Sequence, residues 1–266
     1  GYLQNNNETE IEGSISYNIF KPFWRIINSK NGISLSREAQ FMDGNFTNLE
    51  LELYSYTTFK NYLTVGINAG SNLLGFYDYY EPRIEGIYYY EPPSFYSEIW
   101  FSSDYRKKIA IDNSYSYWKS SSNFNQYSFG FMFGPRIRIS NRILFIYRFE
   151  YERINNDFGF VANSTDTIFF GKRNVDEYTN LISTGYMFSN ESSLSLRLRH
   201  YWSPAKYKDY YILNDDGSLS ASNFSGNYDI NFNAFTLEMV YQWRFAPGSQ
   251  LDIVWKNLVY SSNDDV

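Results

Sequence analysis

The sequence predicts an all-β protein, an antiparallel up-and-down transmembrane β-barrel with about twelve strands in this chain. Three observations predict it. Aromatic residues make up 21% of the 266 residues, with 27 Tyr and 23 Phe, and such rings favour both strands and membrane interfaces. Long stretches alternate apolar and polar residues with the two-residue period of a strand. The connections between these stretches sort into short turns near 60, 105, 140, 189 and 247 and longer loops near 25, 80, 121, 163 and 215, the asymmetry of an outer-membrane barrel with short periplasmic turns.

Each element follows from its own residues. Over 10–20, Ile11, Ile15, Tyr17 and Ile19 alternate with Glu12, Ser14, Ser16 and Asn18. Pro22 ends that strand because it cannot donate to a ladder, so FWRIINSKNG starts as a loop or an edge. ISLSREAQF is the second strand. On the third, Leu49, Leu51 and Leu53 oppose Glu50, Glu52, Tyr54 and Tyr56. Lys60-Asn61 makes a tight turn, and Leu63, Val65, Ile67 and Ala69 lead into a long aromatic loop, GFYDYYEPRIEGIYYYEPP. Residues 95–102 and 108–118 flank a turn at Asp104-Tyr105-Arg106. The clearest hairpin spans 127–153, with Phe129, Phe131, Phe133, Phe145, Tyr147, Phe149 and Tyr151 on one face and charged residues on the other. NNDFGFVANSTDTIFFGKRN reads as a polar loop. Residues 176–188 and 192–202 form the next pair, a third long loop reaches Tyr228, and 232–245 and 250–259 close the chain about Ala246-Pro247-Gly248.

Energetics assign the faces. An arginine at the bilayer midplane costs about 2–4 kcal/mol, so the ionic face points inward. It carries Glu50, Glu52, Glu98, Asp112, Arg136, Arg138, Arg148, Glu150, Glu152, Arg197, Arg199, Glu238, Arg244, Asp252 and Lys256. Both signs occur, which predicts Arg/Glu pairs filling a narrow or plugged lumen. No run of about 18 apolar residues is present, which excludes a transmembrane helix. A mean hydropathy of −0.47 still suits a barrel, whose alternate residues face a polar interior.

Composition excludes other functions. Lys plus Arg number 23 against 29 Asp plus Glu, a net charge of −6 without a basic run, so nucleic acid is not an expected partner. Cysteine is absent, which removes disulfides, thiolate metal sites and cysteine nucleophiles. His200, the single histidine, falls on the outward side near a rim and reads as structural, because a metal needs more ligands. No serine sits in a nucleophile elbow. The carboxylate pairs Glu50/Glu52 and Glu150/Glu152 read as parts of an ion-pair network rather than as acid and base. Asn214-Asp215-Asp216-Gly217-Ser218 lacks the spacing of a calcium loop and reads as a turn. No catalytic residue, metal or cofactor is expected. Tyr77, Tyr79, Tyr80 and Arg83, with Tyr88, Tyr89 and Tyr90 nearby, form a candidate external platform for stacking a sugar.

Several segments resemble one family: GYLQNNN, YNIFKPF, YDYYEPR, SSDYRKK, IYRFEYE, DTIFFGKR, SLRLRHYWS, SGNYDINFNAF and QWRFAPGSQLDIVWKN. Together they resemble the C-terminal β-barrel of Bacteroidota outer-membrane proteins that carry an N-terminal family 9 carbohydrate-binding-like domain and have no assigned function. The resemblance implies an integral outer-membrane location, with residues 1–266 as the barrel domain. It also implies an N-terminal domain before Gly1, a final strand or two beyond Val266, and about 14–16 strands in all. It implies no catalytic residue. The leading expectation is a non-enzymatic membrane anchor or transport/assembly component whose partners are outer-membrane lipid and other outer-membrane or periplasmic proteins. The alternatives are a surface glycan-binding or glycan-processing protein acting through another domain, and a soluble β-sandwich or barrel enzyme.

Overall fold

The computed structural model describes residues 7–164 and 167–264; the GYLQNN opening, Thr165-Asp166 and the last two residues lie outside them. The strands are β1 (Glu8–Ile19), β2 (Ile26–Gln40), β3 (Phe46–Phe59), β4 (Thr64–Asn72), β5 (Phe76–Asp78), β6 (Tyr89–Glu91), β7 (Ser94–Ser102), β8 (Ile109–Ser120), β9 (Tyr127–Arg138), β10 (Ile143–Ser164), β11 (Thr167–Met187), β12 (Ser192–Leu213), β13 (Leu219–Ala221), β14 (Ile230–Ala246) and β15 (Ser249–Asn263). Twelve of them form one antiparallel up-and-down sheet in chain order, β5 and β6 pair separately inside the β4–β7 connection, and β13 adds to β12. No helix occurs among the described residues.

Register fixes the two faces, because residues directly opposite in an antiparallel pair share a face. Ile15, Ile33, Leu53 and Ala69 line up across β1 to β4, and Tyr115, Phe131, Tyr151 and Tyr178 across β8 to β11. Phe129, Phe133, Ile99 and Leu53 on this face are exposed, as are Ile253 and Trp255 at the far end. The other face carries most of the charges: Glu52 lies opposite Ser34, Glu150 opposite Met132, Arg197 opposite Glu238, and Glu238 opposite Lys256.

The sheet has two free edges. Neither β1 nor β15 has a second partner among the described residues, so the sheet is not closed. It is nevertheless strongly curled. Tyr80, in the β4–β7 connection, has its hydroxyl at Glu8 of β1, while Tyr90 N, in the hairpin of that same connection, donates to Gly217 O beyond β12 at 2.9 Å. Nine strand spacings separate β1 from β12, about 43 Å in a flat sheet at ~4.8 Å each. Only curvature brings both within reach of one small hairpin. Glu8 and Gln126, against which Tyr89 rests, alternate with outward residues, so the sheet curls toward its charged face.

The structure corrects four sequence expectations. The segment FWRIINSKNG starts as a turn as expected, but the second strand begins within it, at Ile26 rather than Ile33. The connection at 41–45 takes part in the alternation of ends, which puts 20–25 at the turn end with 60–63, 103–108, 139–142, 188–191 and 247–248. Of the expected polar loop over 155–174, Thr165-Asp166 lie outside the described residues and the rest is the outer part of β10 and β11, paired through Phe158↔Lys172 and Phe160↔Phe170; its aromatic residues alternate, and that pattern outweighs the Asn and Ser around them. β12 likewise runs to Leu213 rather than ending near Trp202.

The two ends differ in charge. The turn end carries Lys21, Arg25, Lys60, Arg106, Lys107, Lys108 and Arg142 against Asp104 and Glu191. The connections of the opposite end carry Asp43, Asp78, Glu81, Glu85, Glu91, Asp215, Asp216 and Asp229 against Arg83 among the described residues.

The charged face and its cap as the candidate functional site

On the charged face an acidic zone over β1 to β8 adjoins a zone over β9 to β15 in which both signs are interleaved. From β1 to β8 the residues there include Glu10, Glu12, Glu38, Glu50, Glu52, Glu98 and Asp112, with Lys30 as the base. From β9 to β15 they include Arg136, Arg138, Arg148, Arg197, Arg199, Arg244 and Lys256, with Glu150, Glu152, Glu177, Glu238 and Asp252 among them. Zoning follows from topology: in a meander, charges close in sequence stay close in space. Within the candidate network, ion pairs form between Arg148 Nε and Glu150 Oε1 at 2.5 Å and between Lys256 Nζ and Glu238 Oε2 at 3.4 Å. Both are half-exposed, and such pairs contribute about 0–1 kcal/mol. Arg136 instead lies over the Tyr105 ring, and Arg138 Nη1 donates to Arg106 O at 3.5 Å. On the acidic side, Tyr96 Oη donates to Glu52 Oε1 at 2.5 Å and Asn68 Nδ2 to Glu98 Oε2 at 3.0 Å.

Sequence reasoning missed a set of glycine and aromatic pairs on this face. Gly32, Gly66 and Gly70 lie directly opposite Tyr54, Trp100 and Tyr96, and a Cβ on any of these glycines would run into the ring. The missing side chain lets each ring lie flat over the neighbouring backbone, which covers a glycine that would otherwise weaken the strand. A glycine in register with an aromatic residue is the signal, and it needs the register to be read.

At the acidic end the β4–β7 connection folds into a cap. Tyr89 buries its ring against Phe158 and Phe170, centroids 6.4 and 5.0 Å away, in a core with Ile168 and Leu213. Bulges at Asn155-Asn156 on β10 and at Lys208 on β12 interrupt the ladders just below. Such bulges increase twist and re-aim the side chains beyond them. Glu81 Oε1 accepts from Phe160 N at 2.7 Å, and Arg83 stacks on the Phe160 ring at 4.4 Å. Phe124 of the β8–β9 connection completes the packing against Phe158 and Tyr211. Burial pushes the Glu91 carboxyl up to about 7, and the carboxylates of Asp78, Asp157 and Glu81 add to the shift. Asp157 is itself paired with Arg173 at 2.8 Å.

The candidate platform residues all sit in this cap. Tyr77 packs on Phe46, Tyr88 and Tyr90, and Tyr79 on Tyr88, at centroid distances of 5.0 to 5.6 Å. These rings face one another, Arg83 is engaged with Phe160, and Tyr80 is the more open ring at 39% exposure. His200 lies on the apolar face in register with Asn180 and Phe235, its Nε2 at 3.2 Å from Asn233 Oδ1. In the 214–218 turn, Asp216 Oδ1 accepts from Ser218 N at 3.0 Å, so that carboxylate serves the turn itself.

An antiparallel meander with one apolar and one charged face, curled toward the charged one and capped at its acidic end, is the class of protein these features define. A family model described as a domain of unknown function, DUF5916, matches residues 1–266, and the chain belongs to that family. No curated protein matches the chain.

Proposed function

We propose that this chain is the wall of a transmembrane β-barrel in a bacterial outer membrane of the Bacteroidota, acting as a non-enzymatic membrane anchor or transport/assembly component. The observation that carries this is the predominant sorting of chemistry across twelve strands, with Arg37, Lys119 and the paired Arg153 and Asp176 as the charged exceptions on the apolar face toward the cap end. Exposed Leu, Ile, Phe, Tyr and Trp hold one face and Arg, Lys and Glu the other. Water does not require such a face of exposed large apolar residues, and lipid does. The edges of β1 and β15 need partners in a bilayer, where unpaired backbone groups are costly. β1 and β15 run antiparallel to each other, so closure keeps the pattern only if strands are added in pairs; one or two further hairpins give about 14–16. The turn end is periplasmic and the cap external on this reading, with the Arg/Glu-lined interior stopped by the cap.

Extraction tests the reading. The full-length protein is expected in the outer-membrane fraction, soluble only with detergent. A monomer stable in detergent-free buffer overturns it. A glycan-binding role for the cap is the weaker reading, because the Tyr77 and Tyr79 rings pack on other rings of the cap.

A further inference from the structure

The connection at 20–25 is built to project its side chains. Phe23 and Ile26 exchange backbone hydrogen bonds at 3.1 and 2.8 Å, which leaves Trp24-Arg25 at the tip of a tight turn. Trp24 has φ 47°, a left-handed backbone that ring-bearing residues rarely adopt. The consequence is exposure: Phe20 is 81% exposed and Trp24 73%. Beside it the 60–63 turn holds Tyr62 at φ 61°, and Lys60 N donates to Arg25 O at 2.8 Å, tying the two turns together. Between them lies a cleft of about 470 Å³ lined by Trp24, Arg25, Phe59, Lys60, Asn61 and Leu63. Its rim is cationic and its floor apolar. Among the described residues no carboxylate pairs with Lys21, Arg25 or Lys60, whereas Arg106 nearby is taken up by Asp104 and the Tyr62 ring.

We propose that this cleft at the turn end binds the phosphate-bearing headgroup of an anionic lipid in the leaflet that meets it, with Arg25 and Lys60, which line it, on the phosphate, Lys21 of the same turn adding positive charge to the surface around it, and Trp24 and Phe20 seated at the headgroup level. Charge complementarity argues for this occupant: the turn end is basic where the opposite end is acidic. An exposed Trp flanked by cations over an apolar floor matches the layering of a bilayer interface, charged outside and greasy within. The Lys60 N to Arg25 O bond sets the spacing of the two turns before the lipid arrives, which reduces the backbone ordering cost of binding. The proposal rests on the membrane-wall reading above.

The test uses the full-length protein refolded into vesicles of phosphatidylcholine alone and of phosphatidylcholine with phosphatidylglycerol, with partition read by flotation titration. Wild type is expected to insert into both and to partition more strongly when phosphatidylglycerol is present. The triple variant Lys21→Gln, Arg25→Gln, Lys60→Gln is expected to insert into phosphatidylcholine like wild type but to lose on the order of a hundredfold of the phosphatidylglycerol gain. Raised salt should shrink the gain in wild type. Insertion without dependence on phosphatidylglycerol, or a gain kept by the triple variant, overturns the headgroup site and leaves the membrane wall standing. Failure of wild type to insert into either vesicle overturns the wall, and the site with it. If inorganic phosphate, at matched ionic strength in chloride, removes the phosphatidylglycerol gain, the cleft takes a free anion and the lipid assignment is wrong.

Discussion

Gly66 and Trp100 illustrate what single residues do on the charged face. They lie directly opposite one another on β4 and β7, and the indole occupies the volume that any side chain at 66 would need. Gly66→Val is therefore expected to lower stability by about 1–3 kcal/mol, the usual cost of overpacking. Combining it with Trp100→Ala should cost less than the two changes summed, because the valine then has room; denaturation midpoints of the four forms in detergent measure that coupling. Glu91 is the second residue with a distinct expectation. Its folded pKa of about 7 lies above the ordinary 4.5, so the folded state holds the proton more tightly. Stability conferred by the proton is fully present below about 4.5 and is lost as pH rises toward 7, by at most on the order of 3 kcal/mol. Hydrogen exchange in 76–91 should accelerate over that window, and Glu91→Gln should flatten the dependence. An unchanged slope in the variant would assign the effect to another group.

At the scale of elements, the β5–β6 hairpin and the outer halves of β10 to β12 form a unit of their own. Three observations hold it: the buried Tyr89 ring, the Glu81 bond to Phe160 N, and the Tyr90 bond to Gly217 O. Phe170 is fully buried at its centre. Phe170→Ala is expected to cost about 3–5 kcal/mol within this unit and to expose 73–93 to protease, while the strands below stay protected. Equal loss of protection in β3, β4 and β7 would show that cap and wall unfold as one. The outer β10–β11 hairpin was hard to read from sequence because Asn155, Asn156, Asn163 and Ser164 dilute its pattern. Its pairing is held by Phe158, Phe160 and Phe170 meeting a partner distant in the chain.

For the whole molecule, the zoned inner face and the cap lead to a prediction about passage. Capped at its acidic end, the reconstituted full-length protein should give no steady ion current in planar bilayers. A variant lacking 76–91 should open to cations in preference to anions, since Glu38, Glu50, Glu52 and Glu98 line one side with Lys30 as the base there. Steady current through wild type would sink the stopped interior, and anion preference in the shortened form would sink the role given to the acidic side.

What the sequence determined by itself is local: period-two alternation placed the strands and separated an apolar from a charged face, so all-β architecture and strand order were legible. Twelve strands were expected and twelve form the main sheet. The tertiary structure decided the rest. Zoning of charge, the rings laid over Gly32, Gly66 and Gly70, and the cap joining Glu8 to Gly217 all depend on which strand lies opposite which and on how far the sheet curls. Alternation is a property of neighbours along the chain, so it survives in the sequence. Curvature sums many small twists between strands, and no single residue records it.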